Sequence, residues 1–289
     1  MKYCILFLLL TASGMAQQVP DTLFSPKVNK RADNFTIYID EAHNNFHTKD
    51  NRYKPFANLL VKVGCQVEGF TNKFSEESLK STKVLVIANA LVEGARGPFV
   101  IPTPSAFTKE EIKEVKAWVK KGGSLFLIAD HMPFAGASEK LAKSFGFTFY
   151  DSFLFDTNQQ GILDFSKENN MLSDHQLTED ISSIKTFTGQ AFKIPKKAES
   201  ILKANEKLVV HLPDTMWRFS SKTKRFSAKG LSQGAIMNYG KGKIAVFGEA
   251  AMFTAQLAGR NQFKVGMNSE GAEENYKLLV NIVTWLTEE

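Results

Sequence analysis

Apolar residues in the first half of the chain follow two alternating periodicities. Short continuous runs at 35–39, 66–70, 83–89 and 124–129 read as strands, and the longer segments between them carry apolar residues every three or four positions. Residues 53–64 place Phe56, Leu59, Leu60 and Val63 on one stripe, with Gly64 as the stop. Thr108 and Glu111 have capping-box spacing and open a helix with Ile112, Val115 and Val119, which halts at Gly122-Gly123. Residues 138–145 predict another helix, ended by Gly146. Strands that alternate with helices pair in parallel through right-handed crossovers. The pattern therefore predicts an α/β class of fold, a doubly wound, mostly parallel, flavodoxin-like sheet. From about 150 to 234 the order loosens into β-like pieces at 184–192, 208–212 and 217–219, read as an insertion or excursion of one domain spanning 17–289. Order returns at Gly240-Lys241-Gly242, a strand at 243–247 and a closing helix at 273–286.

The strand ends carry the chemistry. In open α/β sheets, ligands bind outside the carboxyl ends of the strands. The run Ser124 to Ala129 stops abruptly at Asp130-His131-Met132-Pro133-Phe134, the first strand at Asp40-Glu41-Ala42-His43-Asn44-Asn45-Phe46-His47, and the 243–247 strand at Gly248-Glu249. Asp130, His131 and Glu249 are the candidate catalytic groups, with Asp130 or Glu249 as general base and His131 or His43 as acid or metal ligand. Asp40, Glu41, His43, Asn44, Asn45 and His47 are candidate ligand contacts, with Phe134 and Phe46 as an apolar wall. His43, Asp130 and His131 could supply three ligands to a divalent metal, although no His-Glu-x-x-His spacing is present. Each carboxylate also fits a structural role as a helix cap or a partner of loop amides. Several buried charges at one edge need a reason, since each costs several kcal/mol unless paired. The Gly/Pro-rich loop at 93–105 suits a lid or rim. His175 reads as a turn or helix-start residue, and His211 as structural. Trp118 and Trp217 read as packing residues, although Trp217 lies in the irregular segment where ligand contacts often sit.

Composition narrows the partners. A hydrophobic share of 43% and a charged share of 23% are ordinary for a globular protein. The net charge of +6 is spread in short runs such as Lys222-Lys224-Arg225, without the clustered base-stacking aromatics of a nucleic-acid footprint. Met1 to Ala16 reads as a secretory signal peptide, with Lys2, an apolar run from Ile5 to Leu10 and small residues before Gln17, which predicts a periplasmic or secreted protein. No later segment approaches the roughly 20 apolar residues of a membrane span. Cys4 falls inside that signal, leaving Cys65 without a disulfide partner and read as a buried, inert thiol.

The order of these motifs resembles the class I glutamine-amidotransferase-like superfamily. In particular it is similar to an extracytoplasmic branch related to the domain of gliding-motility transporter components and intraflagellar-transport proteins (the GIFT domain). The matching pieces are Tyr38 to Asn45, Gly122 to His131, Ser173-Asp174-His175, Gly240 to Glu249 and Asn275 to Leu286. True glutaminases of that superfamily carry a nucleophilic Cys on a strained turn after a central strand. Here the turn reads Ala129-Asp130-His131-Met132-Pro133, without a thiol, and no Gly-x-Ser-x-Gly elbow replaces it. The resemblance implies the fold and the crevice but not glutaminase activity. The leading expectation is a domain that binds a small polar molecule such as a carbohydrate or glycan fragment. The alternatives are a hydrolase built on the Asp/His/Glu cluster, with metal assistance left open, and a scaffold that meets a protein partner in an extracytoplasmic complex.

Overall fold

A seven-stranded mixed sheet is the centre of the computed structural model, which describes residues 18–29 and 35–288. The expected signal segment, Met1 to Ala16, lies outside the described residues. In chain order the sheet strands are β1 (Thr36–Asp40), β2 (Gln66–Phe70), β3 (Val84–Ala88), β4 (Ser124–Ile128), β5 (Glu199–Lys203), β6 (Ser232–Tyr239) and β7 (Gly242–Phe247). In space they run 2-1-3-4-7-6-5. The strands from β2 to β7 in that order pair in parallel, whereas β6 and β5 extend the sheet antiparallel. The irregular stretch is thus threaded into the sheet, which makes it mixed where the sequence pattern predicts a mostly parallel one.

Helices cover both faces: α1 (Lys54–Lys62), α2 (Glu76–Leu79), α3 (Lys109–Lys121), α4 (Phe134–Ser144) and α5 (Asn275–Thr287). The strand pleat divides the core in two. Val84, Val86, Phe126, Ile128, Ala245 and Phe247 pack with α1 and α5, and Leu85, Ile87, Leu125, Leu127, Ile244 and Val246 pack with α3 and α4. Because both faces are covered, every residue of β3 and β4 is buried, which is why these strands read as unbroken apolar runs. Gly242 sits where the β6–β7 turn meets the end of α3, and a Cβ there would lie 2.1 Å from the Gly123 carbonyl oxygen. Cys65 is buried, and burial pushes its thiol up to about 11. Among the described residues no helix is long and apolar enough to cross a membrane.

Two expectations need correction. Helix α4 begins at Phe134 rather than at 138, because its first turn is buried nearly all round and shows no amphipathic period. The stretch 217–219 forms no strand: Trp217 adopts φ 60°, which extended pairing does not allow. The remaining excursion folds into small antiparallel pieces, among them a sheet of Phe153–Asp156, Leu208–Leu212 and Lys224–Ser227. Phe126, fully buried against Phe56, Phe247 and Phe253, joins β4 to α1, to β7 and to the helical turn at Ala251–Phe253. Phe126→Ala is expected to cost about 3–5 kcal/mol in denaturant unfolding, well above an exposed control such as Phe263→Ala.

Candidate functional site

The polar groups at the strand ends separate into three environments. The first follows β1. Asp40 is fully buried, and both its oxygens lie 2.9 Å from His43 Nδ1. Its carboxylate also accepts from the Ala42 N–H and the Asn45 amide. His43 Nε2 lies 2.9 Å from Glu111 Oε1, and the ring sits between Phe74 and Phe107 at 4.4 and 4.9 Å. Burial alone would lower the imidazole's pKa, but hydrogen bonds and charge from Asp40 and Glu111 outweigh it and raise it. His43 is therefore an imidazolium held by two carboxylates. With both nitrogens engaged it offers no lone pair to a metal. Asn45 folds back on this cluster, whereas Asn44 projects to the surface and donates to the Val92 carbonyl from a left-handed backbone (φ 46°). The Glu41 side chain passes over Gly69, where a Cβ would meet its Oε2 at 2.8 Å, and accepts from the Lys49 N–H.

The second environment joins β3, β4 and β7. Asn89 accepts from the Asp130 N–H at 2.9 Å, and its amide lies 3.2 Å from His47 Nδ1. On the other side of the ring, His47 Nε2 lies 3.5 Å from the Gln256 amide nitrogen. Burial, with a contribution from Arg52, pushes His47 down to about 3, so it is neutral over the ordinary range of pH. Glu249 is fully buried and accepts from the Ala251 and Met252 N–H groups at 2.6 and 2.7 Å. Burial and then the Asp130 charge hold it well above the usual carboxylate range, and burial raises Asp130 as well against its own partners. Its own burial, and then the charges of Glu249 and Asp130, raise the Tyr53 phenol well above its ordinary value.

The third environment is the rim. Asp130 Oδ1 accepts from the main-chain N–H of His131, but the imidazole turns away and donates from Nδ1 to the Met132 carbonyl at 2.6 Å. The ring stacks on Phe153 at 4.5 Å and meets Trp217 edge-on at 4.8 Å. Phe219 extends this group through Phe153 at 5.2 Å. Among the described residues His131 Nε2 forms no hydrogen bond. Phe134 stands 6.2 Å from His131 but is buried in a small cluster with Leu91 and Ala137. The loop at 93–105 fixes the rim, since Phe99 and Val100 pair with Thr215 and Met216, and Ile101 donates to Asp214.

The candidate residues therefore do not share one crevice. Asp130 and Glu249 come together, Asp40 and His43 pair with Glu111, and His131 stands apart from both. Among the described residues no group of three or more His, Cys, Asp or Glu could hold a metal ion, and the candidate ligands His43, Asp130 and His131 lie in three different surroundings. Sequence reasoning missed Asn89, which ends a buried strand as Asp130 does and was open to the same reading. It also treated Glu111 as a cap alone, and nothing in the spacing tied it to His43. The sequence pattern reads Trp217 as a packing residue, whereas its ring is half exposed beside His131. His175 does start a helical turn, accepting from the Leu177 N–H, and His211 lies buried in its strand.

With this geometry in place, comparison with known proteins adds the fold. No protein-family model matches the chain, and no curated protein matches its sequence. The fold is similar to that of the mmIFT52 N-terminal domain. That structure superposes with a TM-score of 0.60 at 14% identity, over 88% of this chain and 98% of its own. Two cytoplasmic proteins of Salmonella typhimurium also match, with TM-scores of 0.52 and 0.50 at 14% and 12% identity, each over 88% of this chain. The likeness to an intraflagellar-transport domain agrees with the motif order noted above, and at these identities it speaks for the fold alone.

The two buried histidines should titrate in opposite directions. Nitrogen-detected NMR is expected to show His43 still protonated above pH 6.5 and His47 still neutral at pH 5. Because the folded His47 resists a proton that the unfolded chain accepts below about 6.5, its contribution to stability is full above that pH. It is lost as pH falls toward 3, amounting to about 4–5 kcal/mol. The Asp130–Glu249 pair works the other way, favouring the fold in acid and fading as pH rises. The measurement is thus the wild-type stability profile against that of His47→Gln, and wild type should fall relative to the variant as pH drops from about 6.5 toward 3. Parallel profiles would contradict it.

Proposed function

We propose that the protein is an exported, non-glutaminase, amidotransferase-like domain that binds a saccharide at the carboxyl edge of the sheet, on the face formed by His131, Trp217 and Phe219. The observation that carries this reading is the placement of Trp217. The side chain is 49% exposed, and the residue sits at the third position of a turn closed by the Arg218 N–H and the Thr215 carbonyl, with φ 60°. Such a position favours glycine. A large aromatic ring there, half in water and set against an imidazole whose Nε2 is free, suits stacking on a sugar ring with a hydrogen bond to a hydroxyl. The burial of Asp40, His43, Asp130 and Glu249 supports the same reading, since these groups are engaged with one another and not offered to a ligand.

A hydrolytic reading has one specific support, the Asp130–Glu249 pair, whose carboxyls burial holds above their ordinary range as a general acid requires. It requires substrate to reach Asp130 past His131. Release of sugar products that Asp130→Asn abolishes would favour it over binding.

The test is Trp217→Gly. Glycine removes the ring and relieves the backbone, so melting temperature should hold or rise. Affinity for oligosaccharides found on a glycan array should fall by about tenfold or more. A large loss of melting temperature with binding intact would make Trp217 a packing residue and refute the assignment.

A further inference from the structure

We infer that the saccharide is anionic and that Arg218, Lys222 and Lys224 meet its acid groups, an inference that rests on the binding face proposed above. Immediately beyond Phe219 the surface sinks into a depression of about 270 Å³, lined by these three cations together with Phe219, Thr215 and the single carboxylate Asp214. Among the described residues none of the three cations forms an ion pair. A minority of cations elsewhere are answered, such as Lys121 at 2.7 Å from Glu76 and Lys277 at 2.7 Å from Glu274, so what sets these three apart is their convergence on one concave wall. Three cations against one acid in a concave wall leave a positive field that focuses an anion. The wall is continuous with the aromatic face, because Trp217, Arg218 and Phe219 are consecutive and the two rings meet edge-on at 6.3 Å.

Size and ring geometry define the class. The depression is smaller than the roughly 300–1,000 Å³ of drug-sized pockets, which suits one acid-bearing sugar unit beside a second unit stacked on Trp217. Single-stranded nucleic acid would also join stacking to cations, but it needs successive open aromatic faces for successive bases. Here Phe153 is buried, and the two exposed rings, Trp217 and Phe219, stand nearly perpendicular at 83°, so they offer no parallel faces to successive bases. Arg225 does not join the set; it lies across the strand pair from His211, whose pKa is lowered by burial and then by Arg225.

The test is calorimetric titration of the full exported chain with matched oligosaccharides. The acidic and neutral pairs are tetragalacturonate with its methyl ester, and a heparin tetrasaccharide with its desulfated form. Octathymidylate serves as the nucleic-acid probe. At least one acidic member should bind about tenfold or more tighter than its neutral partner. That advantage should vanish near 1 M salt, where the screening length is about 3 Å. In the triple variant R218Q/K222Q/K224Q the acidic member should fall to the neutral one's affinity, while neutral binding stays unchanged. Equal binding of acidic and neutral members would overturn the anionic assignment and leave the saccharide face standing. No binding of any oligosaccharide would overturn both. Octathymidylate binding tighter than every acidic sugar would overturn the inference in favour of nucleic acid.

Discussion

Three parallel strands of this sheet end in carboxylates that the covering loops seal from water: Asp40 after β1, Asp130 after β4 and Glu249 after β7. An ionised carboxylate in such a place is costly unless it is paired or protonated, and the arrangement of the whole edge follows from how each meets that demand. Asp40 takes a cation, His43. The cation in turn recruits Glu111, whose other oxygen accepts from the Thr108 N–H and closes the capping box of α3. The start of α3 is thereby tied to the loop after β1, and Phe74 is drawn in through its own N–H to Glu111. Asp130 and Glu249 have no buried cation. They share the cost through backbone N–H groups and a retained proton, with Asn89 held in a left-handed conformation to serve both Asp130 and His47.

Much of the architecture was legible because fully buried strands and amphipathic helices write unambiguous patterns. Four strands, the Thr108–Glu111 box and the glycine stops fall within a residue or two of expectation. The antiparallel extension of the sheet was not, since β5 has exposed ends and β6 is bulged where it pairs with β5. The strand-end groups were found as a set but not sorted, and the reason is physical. Which carboxylate pairs with which histidine depends on contacts 68 residues apart, as between His43 and Glu111, and local spacing does not encode them. Nor does it show that His131 presents its main-chain N–H to Asp130 and its ring to the aromatic rim.

Under the proposed saccharide reading, the rule that ligands bind beyond the carboxyl ends of parallel strands applies in a displaced form. The groups delivered directly by the strands are consumed in stabilising one another. What remains available is the His131 ring beyond β4 and the two irregular stretches, the loop at 93–105 and the segment around 214–219, stitched together at Val100 and Thr215. These stretches are the parts whose hydrophobic pattern is weakest, which fits segments constrained by something other than the core.

A magnitude separates structure from function at Trp217. Burying a large apolar side chain completely contributes about 1.5–3 kcal/mol, and Trp217 keeps half its surface in water, so its packing on Phe153 contributes about half of that range. Holding a bulky residue in the left-handed region costs about 1–3 kcal/mol. The two nearly cancel, whereas glycine would avoid the cost outright. A tryptophan at this turn therefore has little stabilising reason to be there, and its exposed face beside His131 is the feature on which the proposed saccharide reading rests.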